Sequence, residues 1–182
     1  MTAFSQTRVI QDLIDRLTRL NAAEEWNGPL NPSQFAALSY LSRANRFSRA
    51  PSHVADYLAT TRGTASQTLK ALSRKELIKE TRSDTDKRSI RYDITSEGND
   101  ILKTTSGLSG VIETLDQETS QTLADSLKTL VLAMLQHRGG RSFGVCKTCR
   151  HHQKTDTGGY CQLLEVPLSG SDAGQICHEH AL

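Results

Sequence analysis

Apolar residues at Val9, Ile10, Leu13, Ile14, Leu17 and Leu20 recur at steps of three and four, which predicts an amphipathic helix early in the chain. Asn31-Pro32-Ser33-Gln34 then supplies a cap, a proline suited to a first helical turn and a glutamine able to reach back to the cap. A second helix follows from Pro32 to about Ala44, with Phe35, Leu38 and Leu41 facing inward. Pro51-Ser52 opens a short third helix in which Val54, Tyr57 and Leu58 keep helical spacing until Ala59-Thr60, and Thr61 caps a fourth with Ala65, Leu69 and Leu72 on one face. Strand-like alternation at Leu77-Ile78 and from Ser89 to Ile94 flanks the polar cluster Ser83-Asp84-Thr85-Asp86-Lys87-Arg88 and predicts a hairpin.

Another helix opens at Thr95-Ser96-Glu97-Gly98 and carries Ile101, Leu102, Leu108, Val111, Ile112 and Leu115, weakened by Gly107 and Gly110. The last long helix spans about Gln117 to His137. Its Leu123, Leu127, Leu130, Val131, Met134 and Leu135 form a stripe wider than one small lobe can cover, which argues for burial against a second subunit. The fold class is mainly α with a small β wing: a winged helix-turn-helix with long dimerisation helices and a cysteine-rich C-terminal appendage. The expected units are a DNA-binding and dimerisation domain over 1–138 and a four-cysteine segment over 143–182, joined by the linker Arg138-Gly139-Gly140-Arg141-Ser142.

Charge sharpens this picture. Residues 43 to 91 hold twelve Lys or Arg against five acids, a surplus of seven, and since the whole chain carries +2 the remainder carries −5. A polyanion is the natural partner of such a block. On the fourth helix Arg62, Thr64, Ser66, Gln67 and Lys70 face away from the apolar side and can bond to base edges or phosphates. In the hairpin, Lys87 and Arg88 are suited to a minor groove, and Asp86, two residues before Arg88, can hold its guanidinium in position.

Other classes find little support. Gly (12) and Pro (4) are too few for a fibrous chain, no run of 18 apolar residues occurs, and the opening MTAFSQTRVIQDLIDRLTRL lacks a signal peptide's features, so a cytoplasmic protein with no membrane contact is expected. No G-x-S-x-G, H-E-x-x-H, phosphate loop or dinucleotide fingerprint is present, so no catalytic residues are assigned; an electron-transfer or metal-dependent enzyme on a helical scaffold is the remote alternative.

Residues 29 to 102 resemble a MarR-type transcription regulator. Leu30-x3-Gln34-x3-Leu38 resembles that family's second helix, Val54-Ala55-x2-Leu58 its third, Thr64 through Leu72 its recognition helix, Asp86-Lys87-Arg88 its wing tip, and Ile94-Thr95-x2-Gly98 the signature that follows. The flanking helices extend the resemblance to about positions 7 to 137. One departure is Glu76, which stands where the family usually has Gly. The resemblance implies a homodimer built from the first and last helices, bound to a pseudo-palindromic double-stranded operator as a repressor or, less often, an activator, with room for a small-molecule effector that the sequence does not locate.

All four cysteines lie in the last 37 residues as Cys146-x2-Cys149-x11-Cys161-x15-Cys177. In a reducing compartment they read as a metal or cluster site before disulfides. A zinc ribbon normally pairs two C-x-x-C knuckles and this chain has one, although His151, His152, His178 or His180 can substitute for a thiolate. An iron-sulfur cluster accepts one C-x-x-C with two distant cysteines. Gly159-Tyr160-Cys161-Gln162-Leu163 also resembles the ligand region of high-potential iron-sulfur proteins, with His178 replacing the aromatic residue expected after the last cysteine. A cluster, of the 4Fe-4S type first, is thus preferred over zinc, and disulfides or free thiols come last. The histidines at 137, 151, 152, 178 and 180 are expected in solvent or behind the ligands. Phe143, Val145, Tyr160, Leu163, Leu164, Val166, Leu168 and Ile176 are the only apolar residues from which the segment can build a core.

Overall fold

The computed structural model describes residues 3–25, 28–82, 90–104, 107–155 and 158–181. Seven helices and a hairpin come first: α1 (Ala3–Glu25), α2 (Pro32–Arg43), α3 (Pro51–Tyr57), α4 (Arg62–Arg74), β1 (Ile78–Arg82), β2 (Ile90–Ile94), α5 (Ser96–Thr104), α6 (Gly107–Glu113) and α7 (Gln117–Arg138). Asn31 caps α2 as its sequence requires: its side chain accepts from Gln34 N at 2.9 Å and Gln34 reaches back to Asn31 N. α3 stops at Tyr57, earlier than its apolar spacing suggests, because Ala59 turns left-handed (φ 50°) and Thr60 N donates to the Ala55 carbonyl at 3.0 Å. Glu76 does the same after α4, at φ 59°, with Leu77 N donating to the Leu72 carbonyl at 3.1 Å. Glu is thus accommodated where glycine would be unstrained, at a cost of about 1 kcal/mol.

One core joins these elements. Ala37, Leu38, Tyr40 and Leu41 from α2, Val54 and Ala55 from α3, Ala65, Leu69 and Leu72 from α4, and Ile78 and Tyr92 from the hairpin are all buried. The strands pair antiparallel with Ile78 opposite Ile94 and Arg82 opposite Ile90. Gly98 explains its place in the motif after the hairpin: a Cβ there would collide with the Leu77 carbonyl. The long helices differ. No described residue of α7 is buried, and Leu13, Leu20, Val131 and Met134 are each more than half exposed.

The cysteine segment forms a second small lobe with β structure that hydrophobic patterning did not reveal. It contains β3 (Gly144–Val145), a 3₁₀ turn (Cys146–Thr148), β4 (His152–Thr155), β5 (Gly158–Cys161), β6 (Val166–Leu168), α8 (Gly170–Gly174) and β7 (Ile176–Cys177). β3 pairs with β7, and β4-β5-β6 make an antiparallel sheet. The lobe is docked on the first one rather than hanging from a linker. Ile176 forms a parallel bridge to Ala44, and its carbonyl accepts from Asn45 N at 2.9 Å. The expected private core is therefore redistributed. Phe143 and Ile176 pack on the winged-helix core, Leu163 and Leu164 lie at the surface, and Phe47 of the first lobe packs on the cysteines in return.

Candidate nucleic-acid interface and cysteine site

α4 starts at Thr61, whose side chain accepts from Thr64 N at 3.1 Å while the two hydroxyls meet at 2.9 Å. Burial of Ala65, Leu69 and Leu72 turns the opposite face outward: Arg62, Thr64, Gln67 and Lys70 are exposed and Ser66 is half-buried. The five residues predicted for this helix thus share its outer side, with Thr64 partly committed to the cap. Asp86, Lys87 and Arg88 lie outside the described residues. The base of their hairpin is fixed to the α2–α3 turn, since Arg49 Nη1 donates to Asp93 Oδ1 at 2.7 Å, Thr81 Oγ1 donates to Asp93 Oδ2 at 3.2 Å, and Tyr92 N donates to the Arg49 carbonyl at 3.0 Å.

The positive surplus is only partly a surface property. Arg49 is held as just described, Lys75 donates to the Pro29 carbonyl (2.7 Å) and to Gln34 (3.2 Å), and Arg46 donates to the Pro167 carbonyl at 2.8 Å and lies 3.6 Å from buried Asp172. Counting charges along the chain could not separate these cations from Arg62 and Lys70.

In the second lobe Cys146, Cys161 and Cys177 are buried together with Leu168, under Phe47 and Val166, and Cys149 is half-buried; all four are free. A turn closed by Cys149 N to the Cys146 carbonyl (3.0 Å) and His152 N to the Cys149 carbonyl (3.0 Å) brings the C-x-x-C pair round one corner. The Cys146 thiol is pushed up to about 12, first by burial and then by the neighbouring sulfurs of Cys177, Cys161 and Cys149. Ala181 N donates to Cys149 Sγ at 3.4 Å, and burial raises the Cys177 thiol. Among the described residues, no three His, Cys, Asp or Glu side chains are arranged to close on a single metal ion.

Of the five histidines expected in solvent or behind the ligands, His137 is exposed, and His151 and His152 are half-buried. His178 and His180 are buried. The His180 ring lies 3.0 Å from Thr148 Oγ1 and 3.1 Å from Ser142 Oγ, and a side chain at Gly144 would collide with it. The His178 ring stacks on His53 of α3, and Phe143 meets it edge-on at 5.4 Å. Sequence reading missed Asn45, Phe47, Ser48 and His53 altogether. The available signal was Phe47, an aromatic inside a short, basic, polar turn.

Residues 29–89, about a third of the chain, match the model of the MarR family. No curated protein matches the chain. Among solved structures, a MarR transcriptional regulator from Methanosarcina mazei Go1 is 19% identical, with a TM-score of 0.58 over 71% of this chain and 98% of its own. The transcriptional regulator BldR from Sulfolobus solfataricus is 17% identical, with a TM-score of 0.58 over 73% of this chain and 99% of its own. Wild-type MarR from E. coli in its apo form is 19% identical, with a TM-score of 0.53 over 68% of this chain and 95% of its own. These likenesses establish the fold, with more than a quarter of the chain outside each one. No helix among the described residues is long and apolar enough to cross a membrane.

Proposed function

We propose that this chain is a cytoplasmic, homodimeric DNA-binding transcription regulator, acting as a repressor, whose four cysteines hold an iron-sulfur cluster that senses redox state, oxygen or nitric oxide, or iron supply. The observation that carries the DNA-binding reading is α4 itself: buried Ala65, Leu69 and Leu72 fix it in the lobe while Arg62, Gln67 and Lys70 project from it. Such a helix fits the major groove; Lys87 and Arg88, which lie outside the described residues, are assigned to the flanking backbone and minor groove from the sequence alone. The exposed apolar stripes of α1 and α7 support the dimer, since two long helices with leucines in water are stabilised by a second copy. Two-fold symmetry then sets the recognition helices about one turn of DNA apart.

For the cysteines, the reading rests on the chemistry of the four thiols and their burial. Cys146, Cys161 and Cys177 are buried in one partly apolar cluster, Ala181 N donates to the Cys149 sulfur at 3.4 Å, and burial raises the Cys146 and Cys177 thiols, a cost that a bound cationic centre would offset. A bound cluster would supply an oxidisable centre at that place. The chain's own residues do the rest: Cys146, Cys149, Cys161 and Cys177 bind, Phe47, Val166 and Leu168 exclude water, and β7 carries the fourth ligand against the DNA-binding lobe. The alternative is a structural zinc with a small-molecule effector bound elsewhere. A mobility-shift titration on the DNA upstream of the chain's own gene tests the function. A discrete complex that survives competitor DNA is expected; no complex from anaerobically purified protein would overturn it.

A further inference from the structure

A cavity of about 710 Å³ lies where the end of α2, the middle of α7 and the second lobe meet. Small-molecule sites commonly enclose roughly 300–1,000 Å³. Val131 and Leu132 of α7, Val145 of β3, Ile176 of β7 and Phe143 give it an apolar wall. Its hydroxyls are already bonded within the protein: Ser42 Oγ donates to the Ser39 carbonyl at 2.9 Å, Ser142 Oγ lies 3.1 Å from His180 Nδ1, and Thr148 Oγ1 lies 3.0 Å from His180 Nε2. Its two cations, Arg43 and Lys128, are placed differently. Arg43 uses only Nε, on the Ser39 carbonyl at 3.0 Å, and among the described residues no Asp or Glu lines the cavity. Asp125, one turn before Lys128, takes Gln121 Nε2 at 3.0 Å instead.

The cavity lies off the face of α7 that a second copy would cover. At 100° per residue, Lys128 and Leu132 sit roughly 100° and 140° round the helix from Leu127, whereas Leu123, Leu130 and Met134 sit within about 60° of it. Leu132 is accordingly half-buried while those four are exposed. We infer that this cavity is a binding site for a small monocarboxylate with an apolar body, its carboxylate held by Lys128 and Arg43 and its body by Val131, Leu132, Phe143 and Ile176. A free phosphate would leave the apolar wall unused, and a neutral ligand would leave the cations without a counter-charge. Because Ile176 also bridges to Ala44, the occupant sits on the seam between the two lobes. The site stands apart from the cysteine reading, and its test needs neither metal nor DNA.

The test is calorimetric titration of the full chain with octanoate and with 2-naphthoate, one aliphatic body and one aromatic, and with the neutral amide of each. Wild type should bind at least one of the carboxylates, one per protomer, and should bind its amide at least about tenfold more weakly, as expected when a charge-assisted bond is lost. Lys128→Met should close that gap, taking the carboxylate about as weakly as the amide. Lys128 is exposed, so this variant keeps its fold, which its melting temperature checks. Leu132→Trp, which enlarges a side chain of the cavity wall from outside the dimer stripe, should bind neither compound. Which carboxylate binds decides between an aliphatic and an aromatic body. No binding of either carboxylate by wild type at millimolar concentration would overturn the inference, as would equal affinity for acid and amide, or wild-type binding by both variants.

Discussion

The rings of His53 and His178 stack with centroids 3.7 Å apart and planes 21° apart, one ring from α3 and the other from the residue after Cys177. This contact joins the two lobes at a place where neither ring easily takes a proton. His53 is held down to about 4 by burial and by His178, against the opposing pull of Glu179 and Asp56, while Arg141 adds to the depression. An unfolded histidine protonates near 6.5, so between about pH 6.5 and 4 the unfolded chain binds more protons than the folded one. Stability should therefore fall as the pH drops through that window. Urea midpoints across it should fall less steeply for His53→Phe, which keeps a ring but cannot titrate; identical slopes would show that the stack is not the acid-sensitive joint.

Gly98 sits where a Cβ would strike the Leu77 carbonyl and the Ile94 and Leu38 side chains. Gly98→Ala should cost about 1–3 kcal/mol by overpacking, read as a lower urea midpoint with an unchanged slope. Wild-type stability would mean that the hairpin and α5 are not packed as described.

Gln67→Ala, on the exposed face of α4, should relax base preference and cost about 1–3 kcal/mol on the preferred site. Arg88→Ala should instead weaken binding across all sequences and reduce the salt slope by about one unit. If both variants bind as wild type does, the DNA surface lies elsewhere on the molecule.

Leu127 is 42% exposed within the apolar stripe of α7. Leu127→Glu should place a charge in the dimer interface, give a monomer in sedimentation and lower DNA affinity by at least about tenfold through loss of the second half-site. A dimer of unchanged stability would remove α7 from the interface.

The winged helix was legible because each of its signals is local. Asn31 to Gln34, Thr61 and the Ala65-Leu69-Leu72 spacing each determine a cap or a face within one helical turn. The cysteine lobe was not legible as architecture. Its strands are two to four residues long, too short for a period of two to register, and β3 pairs with β7 across some thirty residues of chain. Docking was hidden for a related reason. Asn45 and Ser48 look like ordinary turn residues, and only the arrival of Ile176 and His178 from the far end of the chain turns them into buried partners.

The most direct test of the whole account is the affinity of anaerobically purified protein for the DNA upstream of its own gene, followed by fluorescence anisotropy before and after oxidant, in wild type and Cys161→Ala. The account predicts a brown wild-type protein whose affinity changes on oxidation and a colourless variant whose affinity does not. A colourless wild type with about one zinc per chain and an affinity indifferent to oxidant would contradict it.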